Sequence, residues 1–213
     1  MSLSQPWPVL RRNLVAILRG IRPAETGAIV ETLARAGFEA MEIPLNSPDP
    51  FQSIGIAARA VGNACLVGAG TVLSVEDVDR VHAAGGRLFV SPNVDPTVIA
   101  HAGSLGMVTM PGVFTPTEAL AAVAAGASGL KFFPASVLGP AGIAAIRAVL
   151  PSGTPIAAVG GVGEGDFAAY AAQGITAFGL GSSIFRPGMA AGEVAERARR
   201  TVEAYDAAIG PAH

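Results

Sequence analysis

Eight short apolar runs recur along the chain, each followed by a turn and an Ala-rich stretch, and this alternation restricts the fold more than any other feature. The runs are Leu14–Leu18, Ala40–Leu45, Cys65–Ala69, Leu88–Ser91, Met107–Met110, Gly129–Phe133, Ile156–Val159 and Ala177–Leu180. Their starts lie about 19 to 27 residues apart, room for one strand, one turn and one helix. Helices are predicted between them over Ala24–Ala36, Phe51–Val61, Val75–Ala84, Pro96–Leu105, Thr117–Ala125, Ala141–Leu150, Gly165–Gln173 and Glu193–Ala208. The runs do not alternate apolar with polar residues, which is the mark of parallel strands buried on both faces. Eight β-then-α units are the count of a closed (β/α)8 TIM barrel, an α/β fold. The rival is an open doubly wound sheet. That fold usually has fewer strands and a glycine fingerprint after the first, where this chain has Gly20 standing alone.

Turn chemistry agrees with this division. Ser74 and Thr115 are placed to cap helices whose first turns carry Glu76, Asp77 and Glu118. Gly37, Gly85, Gly126 and Gly174 sit where a helix wants a left-handed residue at its end. With 213 residues, a single barrel domain over 1–213 is expected, residues 1–13 with Pro6, Trp7 and Pro8 forming a lead-in.

Net charge is −2, so nothing in the composition points to nucleic acid or an anionic membrane as partner. Arg11-Arg12 followed by Leu14–Leu18 faintly resembles a twin-arginine export signal. However, Arg19 ends the apolar run after five residues, short of the roughly 7–15 that an export segment needs. No apolar stretch nears the ~20 residues of a membrane span. The single cysteine, Cys65, excludes an internal disulfide and fits a reducing compartment, so a cytoplasmic protein is expected.

One side chain is out of keeping with the rest. Lys131 is the only lysine, since 13 of the 14 basic residues are arginine, and it lies in Gly129-Leu130-Lys131-Phe132-Phe133-Pro134. Burial disfavours an ammonium and lowers its pKa. A neutral amine is a nucleophile towards carbonyls, the Schiff-base role. The structural alternative is a strand-end lysine whose head reaches water.

In a barrel of this kind the active site forms at the C-terminal ends of the strands. Those ends carry Arg19-Gly20, Glu42 within Met41–Asn46, Gly70-Thr71, Ser91-Pro92-Asn93, Pro111-Gly112, Lys131, Gly160-Gly161-Val162 and Gly181-Ser182-Ser183. A carboxylate between Met41 and Ile43 must face the barrel interior or be stranded under the helices. In the interior it needs a cationic partner, Lys131 or Arg19. Beside an amine it is also a candidate proton shuttle. Thr71 can equally be a plain strand end. The glycine-rich ends of the seventh and eighth runs are where such barrels often hold phosphate on backbone N–H groups. No metal site is expected. His82 and His101 fall on predicted helices and His213 in the tail, with no ligand spacing and no Ser-His-Asp arrangement.

Taken together, these segments resemble the 2-keto-3-deoxy-6-phosphogluconate/6-phosphogalactonate (KDPG/KDPGal) aldolase family over about Leu14 to Tyr205. The motifs that carry the resemblance are Ala16-Ile17-Leu18-Arg19-Gly20, Glu42-Ile43-Pro44-Leu45-Asn46-Ser47-Pro48, Gly68-Ala69-Gly70-Thr71-Val72-Leu73, Ser91-Pro92-Asn93, Leu130–Ala135 and Ala158–Val162. The resemblance implies a homotrimeric barrel and a class I aldolase that needs no metal or other cofactor. It puts the Schiff-base lysine at Lys131 and the general acid/base at Glu42. Contacts to the substrate and its carboxylate fall on Arg19, Thr71 and Pro92, and the phosphate site on Gly160, Gly161, Gly181 and Ser182. The gluconate branch has arginine where Asn46 stands, and Pro-Thr-Gly-Gly-Ile-like residues in place of Ala158-Val159-Gly160-Gly161-Val162. Both differences resemble the galactonate branch, so the expected reaction is cleavage of 2-dehydro-3-deoxy-6-phosphogalactonate to pyruvate and glyceraldehyde 3-phosphate; the alternative is an aldolase for the gluconate epimer or for both, since the two substrates differ only at C4. Two other readings share the fold: a phosphosugar isomerase or epimerase, or thiamin-phosphate-synthase-like enzyme, without an imine-forming lysine, and a phosphometabolite-binding barrel without catalysis.

Overall fold

The structure, a computed structural model, describes residues 5–210, so His213 and the first four residues of the lead-in lie outside the described residues. In chain order it runs β1 (Leu14–Ile17), α1 (Pro23–Ala36), β2 (Ala40–Pro44), α2 (Pro50–Val61), β3 (Leu66–Gly70), α3 (Val75–Ala83), β4 (Leu88–Val90), α4 (Pro96–Ser104), β5 (Val108–Met110), β6 (Gly112–Val113), α5 (Pro116–Ala124), β7 (Leu130–Phe132), α6 (Ala135–Arg147), β8 (Ile156–Val159), α7 (Phe167–Ala171), β9 (Ala177–Leu180) and α8 (Ala191–Ala208). Every strand pair is parallel, in the order β5-β4-β3-β2-β1-β9-β8-β7-β6.

The two ends of that order are one strand. Pro111 separates β5 from β6 because it has no N–H to donate. Its carbonyl still accepts from the Lys131 N–H at 2.9 Å, between the bonds Gly129 N–H to Thr109 O (3.0 Å) and Phe133 N–H to Val113 O (3.1 Å). The ladder is therefore continuous past the proline and the ring closes with eight staves, a (β/α)8 barrel. The fifth stave extends to Val113, beyond the predicted Met110.

Side-chain parity explains why the runs carry no alternation. Leu14, Ala16 and Leu18, Met41 and Ile43, Leu130 and Phe132, and Phe178 and Leu180 pack outward under the helices in the larger core cluster. Val15, Ala40, Leu88, Val90, Val108, Met110, Ala157 and Val159 form a separate, inner cluster that fills the barrel. Both faces of each strand are thus largely buried.

The caps follow the sequence. The Ser74 hydroxyl accepts from Asp77 N–H, Thr115 and Glu118 form a capping box, and Gly37 closes α1 in the left-handed region. Asp95 caps α4 as well, accepting from Thr97 and Val98 N–H. Two predicted helices differ. The seventh begins as a 3-10 turn over Glu164–Asp166, leaving a short α7. The sixth starts at Ala135, before the predicted Ala141. Gly139 (φ 66°, ψ 169°) breaks it ahead of Pro140, and the Gly-Pro pair reads as a helix start when it is an internal kink. The early start places a helical turn directly after the strand that carries Lys131. The lead-in is tied down by Arg12, which grips Asp206 on α8 through two bonds of 2.6 Å. No helix among the described residues is long and apolar enough to cross a membrane.

Candidate active site

The two charged residues inside the barrel are there by parity. Lys131 lies between outward-facing Leu130 and Phe132, and Glu42 between outward-facing Met41 and Ile43. Lys131 is 6% exposed and Glu42 2%. Both open onto one cavity of about 800 Å³ at the C-terminal ends of β1, β2, β7, β8 and β9.

Burial is the largest influence on both groups. It pushes the Lys131 amine below the ordinary lysine range, with Glu42 opposing that shift and Arg19 adding to it. It pushes the Glu42 carboxyl above the ordinary carboxylate range against the pull of Lys131 and Arg19. Glu42 Oε2 is buried, and no protein donor among the described residues reaches it. The Lys131 Nζ stands 4.8 Å from the centre of the Phe133 ring. An amine that gives up its proton more readily than usual, sharing a cavity with a carboxyl that holds its own more tightly, can add to a carbonyl and exchange protons with the adduct.

Gly70 makes room for this carboxylate. A Cβ on Gly70 would overlap the Glu42 carboxylate group. At the rim of the cavity, Arg19 Nη1 donates to Asn46 Oδ1 at 2.7 Å, and Gly20 N–H donates to Ser47 Oγ at 2.9 Å. The loop after β9 closes on the same point, where a Cβ on Gly20 would meet Pro187 Cγ at 2.7 Å.

The opposite side of the cavity is built from backbone. Gly160 and Gly161 follow β8 with φ of 92° and 73°, a pair of left-handed residues that side chains would resist. The Gly160 carbonyl accepts from Ser136 N–H at 3.0 Å, which fastens this turn to the start of α6. After β9, Ile184 and Phe185 N–H both bond back to Gly181 O, at 2.9 and 3.0 Å. That turn leaves its first N–H groups, on Ser182 and Ser183, without a protein acceptor among the described residues, and the Gly161 N–H is likewise free. Orphan donors at two adjacent strand ends suit an anion.

The structure thus brings Lys131, Glu42, Arg19, Gly160, Gly161, Gly181 and Ser182 around one cavity. Thr71 and Pro92 stand at the same end of the barrel but do not line its wall. Thr71 has φ of 57°, rare for a β-branched residue and a strain of the kind found at functional loops. Pro92 is exposed, its carbonyl beside Gly112. His82 lies on α3 and His101 on α4, where His101 pairs with Asp79 at 2.7 Å. Among the described residues no three His, Cys, Asp or Glu side chains form a group able to hold a metal ion.

The profile of the KDPG and KHG aldolase family matches residues 9–199. This chain belongs to that family. Among its aldolase relatives is a Rhizobium meliloti protein named as a probable 2-dehydro-3-deoxy-6-phosphogalactonate aldolase, 63% identical over 205 residues, with 96% of this chain and 97% of the relative covered. The Escherichia coli 2-dehydro-3-deoxy-6-phosphogalactonate aldolase is 46% identical over 196 residues, covering 92% of this chain and 96% of that protein. A solved structure described as native KDPGal superposes with a TM-score of 0.93 at 44% identity, covering 96% of this chain and 99% of that one.

Phe133 and Arg186 on the cavity wall, and Gly70 against the Glu42 carboxylate, are not among the site residues that the sequence singles out. In the sequence Phe133 reads only as an apolar neighbour of Lys131. Gly70 carried a signal, the alternate glycines Gly68 and Gly70 on one face of a strand, where a side chain is normally wanted. Arg186 carried none, because an arginine in a loop is usually only a solvated charge.

Proposed function

We propose that the protein is a class I aldolase that cleaves 2-dehydro-3-deoxy-6-phosphogalactonate to pyruvate and glyceraldehyde 3-phosphate. The observation that carries this reading is the buried Lys131 amine sharing a cavity with the buried, unpartnered Glu42 carboxyl. The names of the relatives support the substrate class.

In this reading the neutral amine adds to the C2 ketone. Glu42 returns a proton to the carbinolamine hydroxyl, water leaves, and an iminium forms. The iminium draws the electrons of the C3–C4 bond as Glu42, now a carboxylate, takes the proton of the C4 hydroxyl. The bond breaks and glyceraldehyde 3-phosphate departs. Protonation of the enamine at C3 and hydrolysis of the imine release pyruvate and restore Lys131. The positive nitrogen supplies the charge stabilisation of the bond-breaking step. Arg19, steadied by Asn46, pairs with the substrate carboxylate, with Thr71 and Pro92 shaping that end from outside the wall. The phosphate rests on the free N–H groups of Gly161 and Ser182 beside Gly160 and Gly181.

The reading also carries a homotrimer of single-domain barrels acting in the cytoplasm. Exposed Phe114, Leu120 and Val137, on successive βα units, offer apolar surface for such an assembly, and the half-buried thiol of Cys65 suits a reducing compartment. A coupled assay of pyruvate release on the galactonate and gluconate epimers tests the substrate. Faster turnover of the galactonate compound is expected. Equal turnover would mean that Asn46 and Val159 do not discriminate at C4, and no pyruvate from either would overturn the assignment.

A further inference from the structure

We infer that Arg186 sets the preference for phosphorylated over unphosphorylated substrates, as the counter-charge to the phosphate. The inference rests on the aldolase reading and extends it to a residue outside the motifs that carry the family resemblance.

The argument begins with charge. The cavity wall holds two guanidinium groups, Arg19 and Arg186, and the Lys131 amine, against a single carboxyl, Glu42. The substrate brings a carboxylate at one end and a phosphate at the other. Lys131 is committed to the ketone between them, and Arg19 stands at the end of β1 with Asn46. That leaves the phosphate end, built from backbone N–H groups that carry partial charge only. Holding a dianion on neutral donors in a partly dry cavity leaves most of its charge uncompensated.

Arg186 is placed to compensate it. Its Nε donates to Ser182 O at 3.1 Å, which folds the side chain back over the turn whose Ser182 and Ser183 N–H groups are free. Among the described residues no carboxylate forms a salt bridge with its guanidinium, so its terminal nitrogens are uncommitted. The backbone that carries it is fixed. Ser183 O accepts from Arg197 on α8 at 3.3 Å, and Pro187 presses against Gly20. A planar guanidinium with free N–H groups matches phosphate oxygens in pairs, which an ammonium does not. The competing explanation is a surface arginine that merely caps Ser182 O. In that case a glutamine, which can also donate to that carbonyl, would replace it without consequence for phosphate.

Arg186→Gln and Arg186→Lys are compared with wild type in the condensation direction, with pyruvate and either glyceraldehyde 3-phosphate or glyceraldehyde. The ratio of kcat/KM for the phosphorylated to the unphosphorylated aldehyde is expected to fall about 10- to 100-fold in Arg186→Gln, mainly through KM, since one charge-assisted contact is lost. Arg186→Lys should recover part of the ratio. A ratio within threefold of wild type in Arg186→Gln overturns the inference. Inorganic phosphate binding by titration calorimetry gives a reading without turnover: a weaker Kd in Arg186→Gln supports the inference, and an equal Kd overturns it. Borohydride inactivation of wild type in the presence of pyruvate tests the aldolase reading separately, because pyruvate carries no phosphate.

Discussion

Replacing Gly70 by alanine puts the arrangement of Lys131 and Glu42 under direct strain. The backbone does not object, since Gly70 lies outside the left-handed region. The obstacle is the added methyl, which would occupy the space of the Glu42 carboxylate. β3 cannot easily retreat. Gly70 is in register with Pro44 on β2, its carbonyl accepts from Leu45 N–H at 2.8 Å, and Gly68 pairs with Leu88 on the other side. The glutamate must therefore leave its rotamer and shift by about the radius of a methyl group. A reacting group misplaced by about 1 Å can cost ~100-fold in rate, equivalent to about 2.7 kcal/mol at 1.36 kcal/mol per factor of ten. The assay is pyruvate release at saturating substrate, read through lactate dehydrogenase, with KM and melting temperature recorded alongside. We expect kcat to fall about 100-fold while KM moves less than threefold, because Arg19 and the glycine turns are untouched. A kcat within twofold of wild type would refute the placement of Glu42 in the chemistry.

Glu42→Gln should lower kcat by ~10²–10⁴, the range for loss of a general acid/base, and should melt no lower than wild type at neutral pH. The raised carboxyl pKa means that ionisation costs the folded state. That cost is absent below the unfolded pKa and complete above the folded one, so calorimetry should find the variant's advantage near pH 8 and none near pH 4. Asn46→Ala frees the Arg19 guanidinium and should raise KM severalfold with little change in kcat, and an unchanged KM would mean that Arg19 needs no anchor. Asp206→Asn removes the grip of Arg12 and should cost about 1 kcal/mol near pH 7 in urea unfolding, a modest value because Asp206 is partly exposed. Its pKa is depressed, chiefly by the hydrogen bond from Arg12. The contribution is present above the unfolded pKa and lost as pH falls through the folded one, so the gap between variant and wild type should close in acid.

How far the string of residues could be read follows from range. Strand parity is local: Met41 and Ile43 leave the Glu42 carboxylate either the barrel interior or a stranded place under the helices, the structure takes the first, and Lys131 between Leu130 and Phe132 follows the same rule. Caps such as Ser74 and Thr115 are local as well. The full length of the fifth stave, on to Val113, was hidden by Pro111, whose missing N–H breaks the pattern of a strand although its carbonyl keeps the ladder going. The start of α6 was hidden by Gly139-Pro140, which looks like a beginning and is a kink. Gly70, Phe133 and Arg186 depend on what comes near them from other strands and loops. Gly70 matters through a glutamate 28 positions earlier (70 − 42), a distance that no local pattern encodes.

The most direct test is reduction by borohydride in the presence of pyruvate, followed by peptide mapping. The account predicts one modified residue, Lys131, heavier by pyruvate less water plus two hydrogens, with a trapping rate that rises with pH through a midpoint below the ordinary lysine range. Lys131→Arg should show neither adduct nor turnover, since a guanidinium forms no imine. Normal turnover with no adduct on Lys131, or with the adduct at the amino terminus instead, would contradict it.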